Sequence, residues 1–146
     1  MTQTDLLPLL GLPYVEGGEG PEGYNCWGFL RHVLLIYFGK ELPRAPIGDE
    51  AACRSIYEEK ARMGEWMQIE HPGHGDVCLL RGGSSPHVGI WLDFEGGGVL
   101  HCMEPSGVIW TPDRNLSRLG YARRTYYRIA DARHPHQAGQ SVSPAD

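Results

Sequence analysis

One stretch limits the fold more than any other. Cys26-Trp27-Gly28-Phe29-Leu30-Arg31-His32-Val33-Leu34-Leu35-Ile36-Tyr37-Phe38-Gly39 contains no proline and only Arg31 and His32 as polar interruptions. It stands directly behind a loop, Gly17-Gly18-Glu19-Gly20-Pro21-Glu22-Gly23. Glycine and proline both resist regular elements, so nothing upstream runs on into the apolar stretch. The pattern predicts a helix closed by a glycine C-cap at Gly39. A helix that is apolar almost all round belongs in an interior, and the rest of the chain has to be built around it.

A second helix is predicted from the N-cap candidate Asp49 to about Arg62. Short apolar runs then alternate with glycine turns, predicting strands over 76–81, 87–93, 99–103, 108–111 and 123–129. The turns Gly82-Gly83-Ser84-Ser85 and Glu95-Gly96-Gly97-Gly98 suggest hairpins and an antiparallel meander. Helices first and strands second is the α+β order. With 146 residues, 41% of them hydrophobic, the chain can bury one core without staples. The expected organisation is a single domain over 1–130 and a flexible C-terminal tail over 131–146, which lacks apolar content.

Several functions are disfavoured at once. Thirteen Lys and Arg against eighteen Asp and Glu leave a net charge of −5, and a chain without a basic block grips a phosphate backbone poorly. Nucleic acid is not an expected partner. No apolar run approaches the ~18 residues of a membrane helix, and the N-terminus has no positively charged leader region. The chain is therefore expected to be made in the cytoplasm without a signal peptide and to have no membrane partner. Cys26, Cys53, Cys78 and Cys102 are 27, 25 and 24 residues apart. That spacing lacks a C-x-x-C pair, so the thiols are expected to be free. His71, His74, Asp76, Cys78, His101 and Cys102 contain metal-ligating types, but their spacing fits no standard zinc pattern. No metal site is expected.

The chemistry-bearing candidate is Cys26, at the start of the predicted helix. Unpaired N–H groups and the positive end of the helix dipole favour thiolate there, which a cysteine nucleophile requires. A nucleophile needs a base. His32 lies in the helix as a packing residue, His71 and His74 sit in a solvated loop, and His134 and His136 belong to the tail. His87 and His101 remain, on adjacent predicted strands and 14 residues apart. If the turn between them has an odd length, both rings share a sheet face. One imidazole then takes the thiol proton and the other fixes its orientation and tautomer. Cys102, next to His101, points the other way and is expected to face away from the site. Cys53 and Cys78 read as core residues, and the tryptophans as core or groove walls.

These residues carry a resemblance. Tyr14-Val15-Glu16-Gly17-Gly18 and Tyr24-Asn25-Cys26-Trp27-Gly28-Phe29-Leu30-Arg31 resemble the P-Y-x-x-G-G and D-C-[SW]-G-[LF]-[VL]-R motifs of the NlpC family of papain-like cysteine peptidases. Leu42-Pro43-Arg44, Pro72-Gly73-His74-Gly75-Asp76-Val77, His87-Val88-Gly89-Ile90-Trp91-Leu92 and Val99-Leu100-His101 are similar to later motifs of that family, in the same order. The resemblance implies a papain-like α+β fold in which the nucleophile-bearing helix packs on a C-terminal antiparallel sheet. It implies Cys26 as nucleophile, His87 as general base and later acid, His101 as the orienting third residue, and Tyr14 as a contributor to the oxyanion site. The implied reaction is hydrolysis of amide bonds in peptidoglycan stem peptides, with no metal or cofactor.

Trp27, Arg31, Gly107-Val108-Ile109-Trp110-Thr111-Pro112 and Tyr121-Ala122-Arg123-Arg124 further resemble the peptidases of phage and prophage tail modules. That resemblance implies incorporation into a virion beside other tail proteins. The same fold without activity, as a structural or adaptor subunit of a tail tip, is the alternative. Asn25 departs from the family's usual aspartate; its amide keeps turn hydrogen bonds but carries no charge.

Overall fold

The computed structural model describes residues 1–44, 64–82 and 86–130. The predicted helix over 49–62, Cys53, the tip of the first hairpin and the tail lie outside them. Among the described residues the elements are two helices, α1 (Gln3–Leu6) and α2 (Cys26–Phe38), then six strands. These are β1 (Trp66–Ile69), β2 (Val77–Arg81), β3 (His87–Leu92), β4 (Gly98–Met103), β5 (Gly107–Pro112) and β6 (Arg123–Ile129). All pairings are antiparallel and the strand order is β1-β6-β2-β3-β4-β5.

The meander holds for β2 to β5 and then breaks. β6 returns across the sheet to pair with β2, and β1 adds outside it. Two short 3-10 turns, Asp113–Asn115 and Ser117–Leu119, make the crossing, with Leu116 fully buried between them.

The sheet has two unlike faces. Val88, Ile90 and Leu92 of β3 and Leu100 and Cys102 of β4 join one core with Trp27, Phe29, Leu30, Val33 and Leu34 of α2. Strand alternation sends Val99 to the other face, where it packs with Cys78, Leu80 and Leu116. α2 therefore lies on β3 and β4 along one side only. This corrects the expectation of a helix buried all round: Leu35 and Ile36 are 48% and 58% exposed. A layer that covers one sheet face has an outer side, and these two residues are on it.

The direction of α2 fixes where the site falls. Its last residue, Phe38, packs against Gly75 just before β2, and Lys40 Nζ donates to the carbonyl of Ile129 at the end of β6 (3.0 Å). The first residue, Cys26, therefore lies at the opposite end of the sheet, where β2 ends and β3 begins. The strap after the helix is tied back onto it. Trp27 Nε1 donates to the Pro43 carbonyl (2.8 Å), Arg31 Nε to the Leu42 carbonyl (3.0 Å), and Leu42 is buried. Among the described residues, no helix is long and apolar enough to cross a membrane.

Candidate active site

The start of α2 is shaped by Asn25 and Gly28. Asn25 is the N-cap, and its Oδ1 accepts from the Gly28 N–H at 2.7 Å, the standard way to satisfy an orphan donor of the first turn. The amide does this without charge, so the departure from aspartate leaves the cap intact. A Cβ at Gly28 would overlap the Gly18 carbonyl. The Gly17-Gly18 loop can therefore lie directly against the helix start only because residue 28 has no side chain.

Cys26 is half-buried and packs against the main core. Tyr14 packs there too, and its segment runs alongside the residues leading to Cys26. The Val15 N–H donates to the Tyr24 carbonyl (3.0 Å) and the Tyr24 N–H to the Pro13 carbonyl (3.1 Å).

The two histidines meet. His87 Nε2 and His101 Nδ1 are 2.8 Å apart, and both residues are buried. The register explains the pairing: Leu92 faces Gly98, leaving the five residues 93–97 as the turn, so His87 and His101 share a face. Between them stands Gly89, where a Cβ would overlap the Val99 side chain and lie 3.0 Å from the His101 Cβ. The rings approach each other because that position is empty.

Sequence reasoning missed two further members. Thr111 Oγ1 lies 2.9 Å from His101 Nε2 and is itself buried. Tyr121 stacks on His87, with centroids 5.4 Å apart and planes 11° from parallel. The signal for Thr111 was strand parity, since β5 places Ile109 opposite His101 and Thr111 on the same face. Tyr121 stands in the 121–124 motif, but nothing in that motif marks it as a neighbour of His87, to whose ring the 3-10 turns bring it. His87, His101 and Thr111 thus form one hydrogen-bonded line across β3, β4 and β5.

Electrostatics settles the charge of that line. Burial, helped by the neighbouring His101, lowers His87 to about 3. Burial alone lowers His101 to about 4. Both rings are neutral at ordinary pH, so imidazolium does not supply the charge that would hold a Cys26 thiolate. The start of α2 carries partial positive charge that favours a thiolate there.

Cys102 turns to the face opposite His101, the face that α2 covers, where it neighbours Cys26. Its Sγ donates to the Tyr24 carbonyl (3.2 Å), and burial first, then the neighbouring Cys26, raises its pKa to about 12. Cys78 is fully buried and raised well above the usual thiol range, chiefly by burial. Among the described cysteines, Cys26 is the one with exposed surface.

The other candidates are engaged elsewhere. His32 packs on Tyr24 as expected, with centroids 5.2 Å apart. His74 is not simply solvated: its Nδ1 accepts from the Asp93 N–H (3.0 Å), its Nε2 lies 2.8 Å from the Met1 carbonyl, and Phe38 and Phe94 flank the ring. Asp76 binds Arg128 and the Gly73 N–H. Among the described residues, no three His, Cys, Asp or Glu side chains converge as a metal site would require.

A family model described as the NlpC/P60 family matches residues 11–137. Protein P54 of Enterococcus faecium is 32% identical over 115 residues, which cover 74% of this chain and 20% of that protein. A "Probable endopeptidase" of Haemophilus influenzae is 29% identical over 108 residues, covering 72% of this chain and 59% of that one. The chain thus spans between a fifth and three fifths of these relatives. Among solved structures, the NlpC/p60 domain of the peptidoglycan hydrolase SagA aligns with a TM-score of 0.54 at 24% identity. The alignment covers 87% of this chain and 93% of that domain, and it is a likeness of fold.

Proposed function

The chain belongs to the NlpC/P60 family, and from that premise we propose that it is a cysteine peptidase hydrolysing amide bonds in peptidoglycan stem peptides. The observation that carries the reading is the buried line His87–His101–Thr111, which lies on the Val99 face of the sheet and starts from His87 as the first residue of β3, at the end of the sheet where α2 also starts. The Nε2 of His87 is committed to His101, which leaves Nδ1 for the thiol proton.

In the proposed cycle Cys26 Sγ attacks the scissile carbonyl as its proton passes to His87 Nδ1. The oxyanion is held by the Tyr14 hydroxyl and the Cys26 N–H. His87 returns the proton to the leaving amine, and a thioester remains on Cys26. His87 then takes a proton from water, the hydroxide attacks the thioester, and Cys26 leaves as the thiol. One water is consumed for each amide broken, and no cofactor takes part.

Incubating the protein with purified peptidoglycan and synthetic stem peptides tests this. Mass spectrometry is expected to find a product pair heavier by one water than the parent peptide, with a new amine. A folded protein whose Cys26 alkylates normally, yet cuts no stem peptide, would instead be the inactive structural or adaptor subunit.

We also read the chain as a phage or prophage tail component made in the bacterial cytoplasm. Support comes from Trp27, Arg31 and the motifs over 107–112 and 121–124. Proteomic analysis of purified particles decides it, and absence of the chain from them would remove this part of the reading.

A further inference from the structure

We infer that Thr111 is a positioning residue: its hydroxyl accepts the His101 Nε2–H and thereby sets which nitrogen of His87 carries a proton. The inference rests on the peptidase reading for its kinetic consequence, but not for its geometry.

Each ring in the line is neutral, so each has one N–H and one bare nitrogen. The contact between His87 Nε2 and His101 Nδ1 holds one shared proton at 2.8 Å, which leaves two arrangements for the whole line. In the first, His87 Nε2–H donates to His101 Nδ1, and His101 Nε2–H donates to Thr111 Oγ1. His87 Nδ1 is then bare and can accept the Cys26 proton. In the second, Thr111 donates to His101 Nε2, His101 Nδ1–H donates to His87 Nε2, and His87 Nδ1 already carries a proton. That nitrogen cannot act as a base. The two arrangements differ at every bond, and the first exists only while the group at the far end of the line can accept a hydrogen bond.

Thr111 is that end. It is 5% exposed and His101 is fully buried, so bulk water does not replace its hydroxyl. Removing the hydroxyl while keeping the shape, as in Thr111→Val, strands the His101 Nε2–H against a methyl group. A buried N–H without an acceptor is costly, and more so than a bare acceptor nitrogen. The line is then driven into the second arrangement, and the base is lost although no reacting group has been touched.

The experiment records 15N–1H spectra of the histidine rings in the wild type, Thr111→Val and Thr111→Ser, together with kcat and KM on a stem peptide. The expected result is Nε2–H on both His87 and His101 in the wild type and Nδ1–H on both in Thr111→Val. A fall in kcat of about 10- to 100-fold should accompany the change, with KM within about twofold. Thr111→Ser, which restores the hydroxyl without the methyl, should return both the tautomers and kcat to near wild type. Wild-type tautomers in Thr111→Val, or a Thr111→Ser variant that behaves like Thr111→Val, would overturn the inference. If the wild type cuts no stem peptide, the peptidase reading fails on its own, and the spectra alone still decide the role of Thr111.

Discussion

Cys26→Ala is expected to lower stem-peptide hydrolysis by about 10⁴-fold or more, and adding His87→Ala to it should change the residual rate by less than about threefold. Groups that act as a unit are strongly non-additive, because a base without its nucleophile has nothing to activate. Independent contributions would instead multiply, and a double variant that falls by the product of the two single effects would show that Cys26 and His87 do not form one machine. The pH profile sharpens the test. An ordinary histidine near 6.5 would be only about 3% neutral at pH 5 and would lose most of its activity as a base. Burial and His101 hold His87 at about 3, so its unprotonated form persists through pH 5. The value of kcat/KM should therefore stay within about twofold from pH 7 to pH 5. An inflection near pH 6.5 would mean that the base is exposed, or that it is another residue.

The parts of this fold that the sequence makes legible are those set by local chemistry. The glycine loop before Cys26 and the αL glycine at position 39 (φ 67°) bound α2 from both sides. Glycines also stand in the turn between β3 and β4, at Gly96 and Gly97. The pairing of His87 with His101 is also local, since it needs only the parity of a five-residue turn. What stays hidden depends on partners distant in sequence. Trp66-Met67-Gln68-Ile69 becomes a strand only because β6 lies beside it, pairing Trp66 with Ile129. β6 lies between β1 and β2 because the turns around buried Leu116 carry the chain back across the sheet. The exposure of Leu35 and Ile36 follows from the sheet covering one side of α2, a fact of assembly and not of composition. Thr111 escapes notice for another reason: parity puts it on the face of His101, but a threonine in a strand is an ordinary β-former, and only the nitrogen it faces gives it a role.

Asp76→Asn is expected to be the most destabilising single change outside the hydrophobic core, costing about 2–3 kcal/mol and lowering Tm by roughly 5–10 °C. The carboxylate is 4% exposed and has three donors aimed at it. Arg128 Nε reaches Oδ1 at 3.0 Å, Arg128 Nη2 reaches Oδ2 at 2.7 Å, and the Gly73 N–H reaches Oδ2 at 2.6 Å. An asparagine has the same shape but replaces one acceptor with an N–H₂ group, so at least one donor faces another donor in a buried position. The damage is local to one end of the sheet. Asp76 also accepts the Trp91 N–H through its backbone (2.7 Å), and the Gly73–Asp76 turn sets Gly75 against Phe38, the last residue of α2. The proposed nucleophile, Cys26, is at the other end of that helix. Activity per folded molecule at 20 °C should therefore remain within about twofold of wild type while the melting temperature falls. Scanning calorimetry and an active-site titration with a thiol reagent separate the two. A variant that melts normally would mean that the Arg128 pair adds nothing beyond what water supplies. A stable variant that loses kcat would place Asp76 in communication with Cys26 through α2, contrary to the division of labour proposed for the two ends of the sheet.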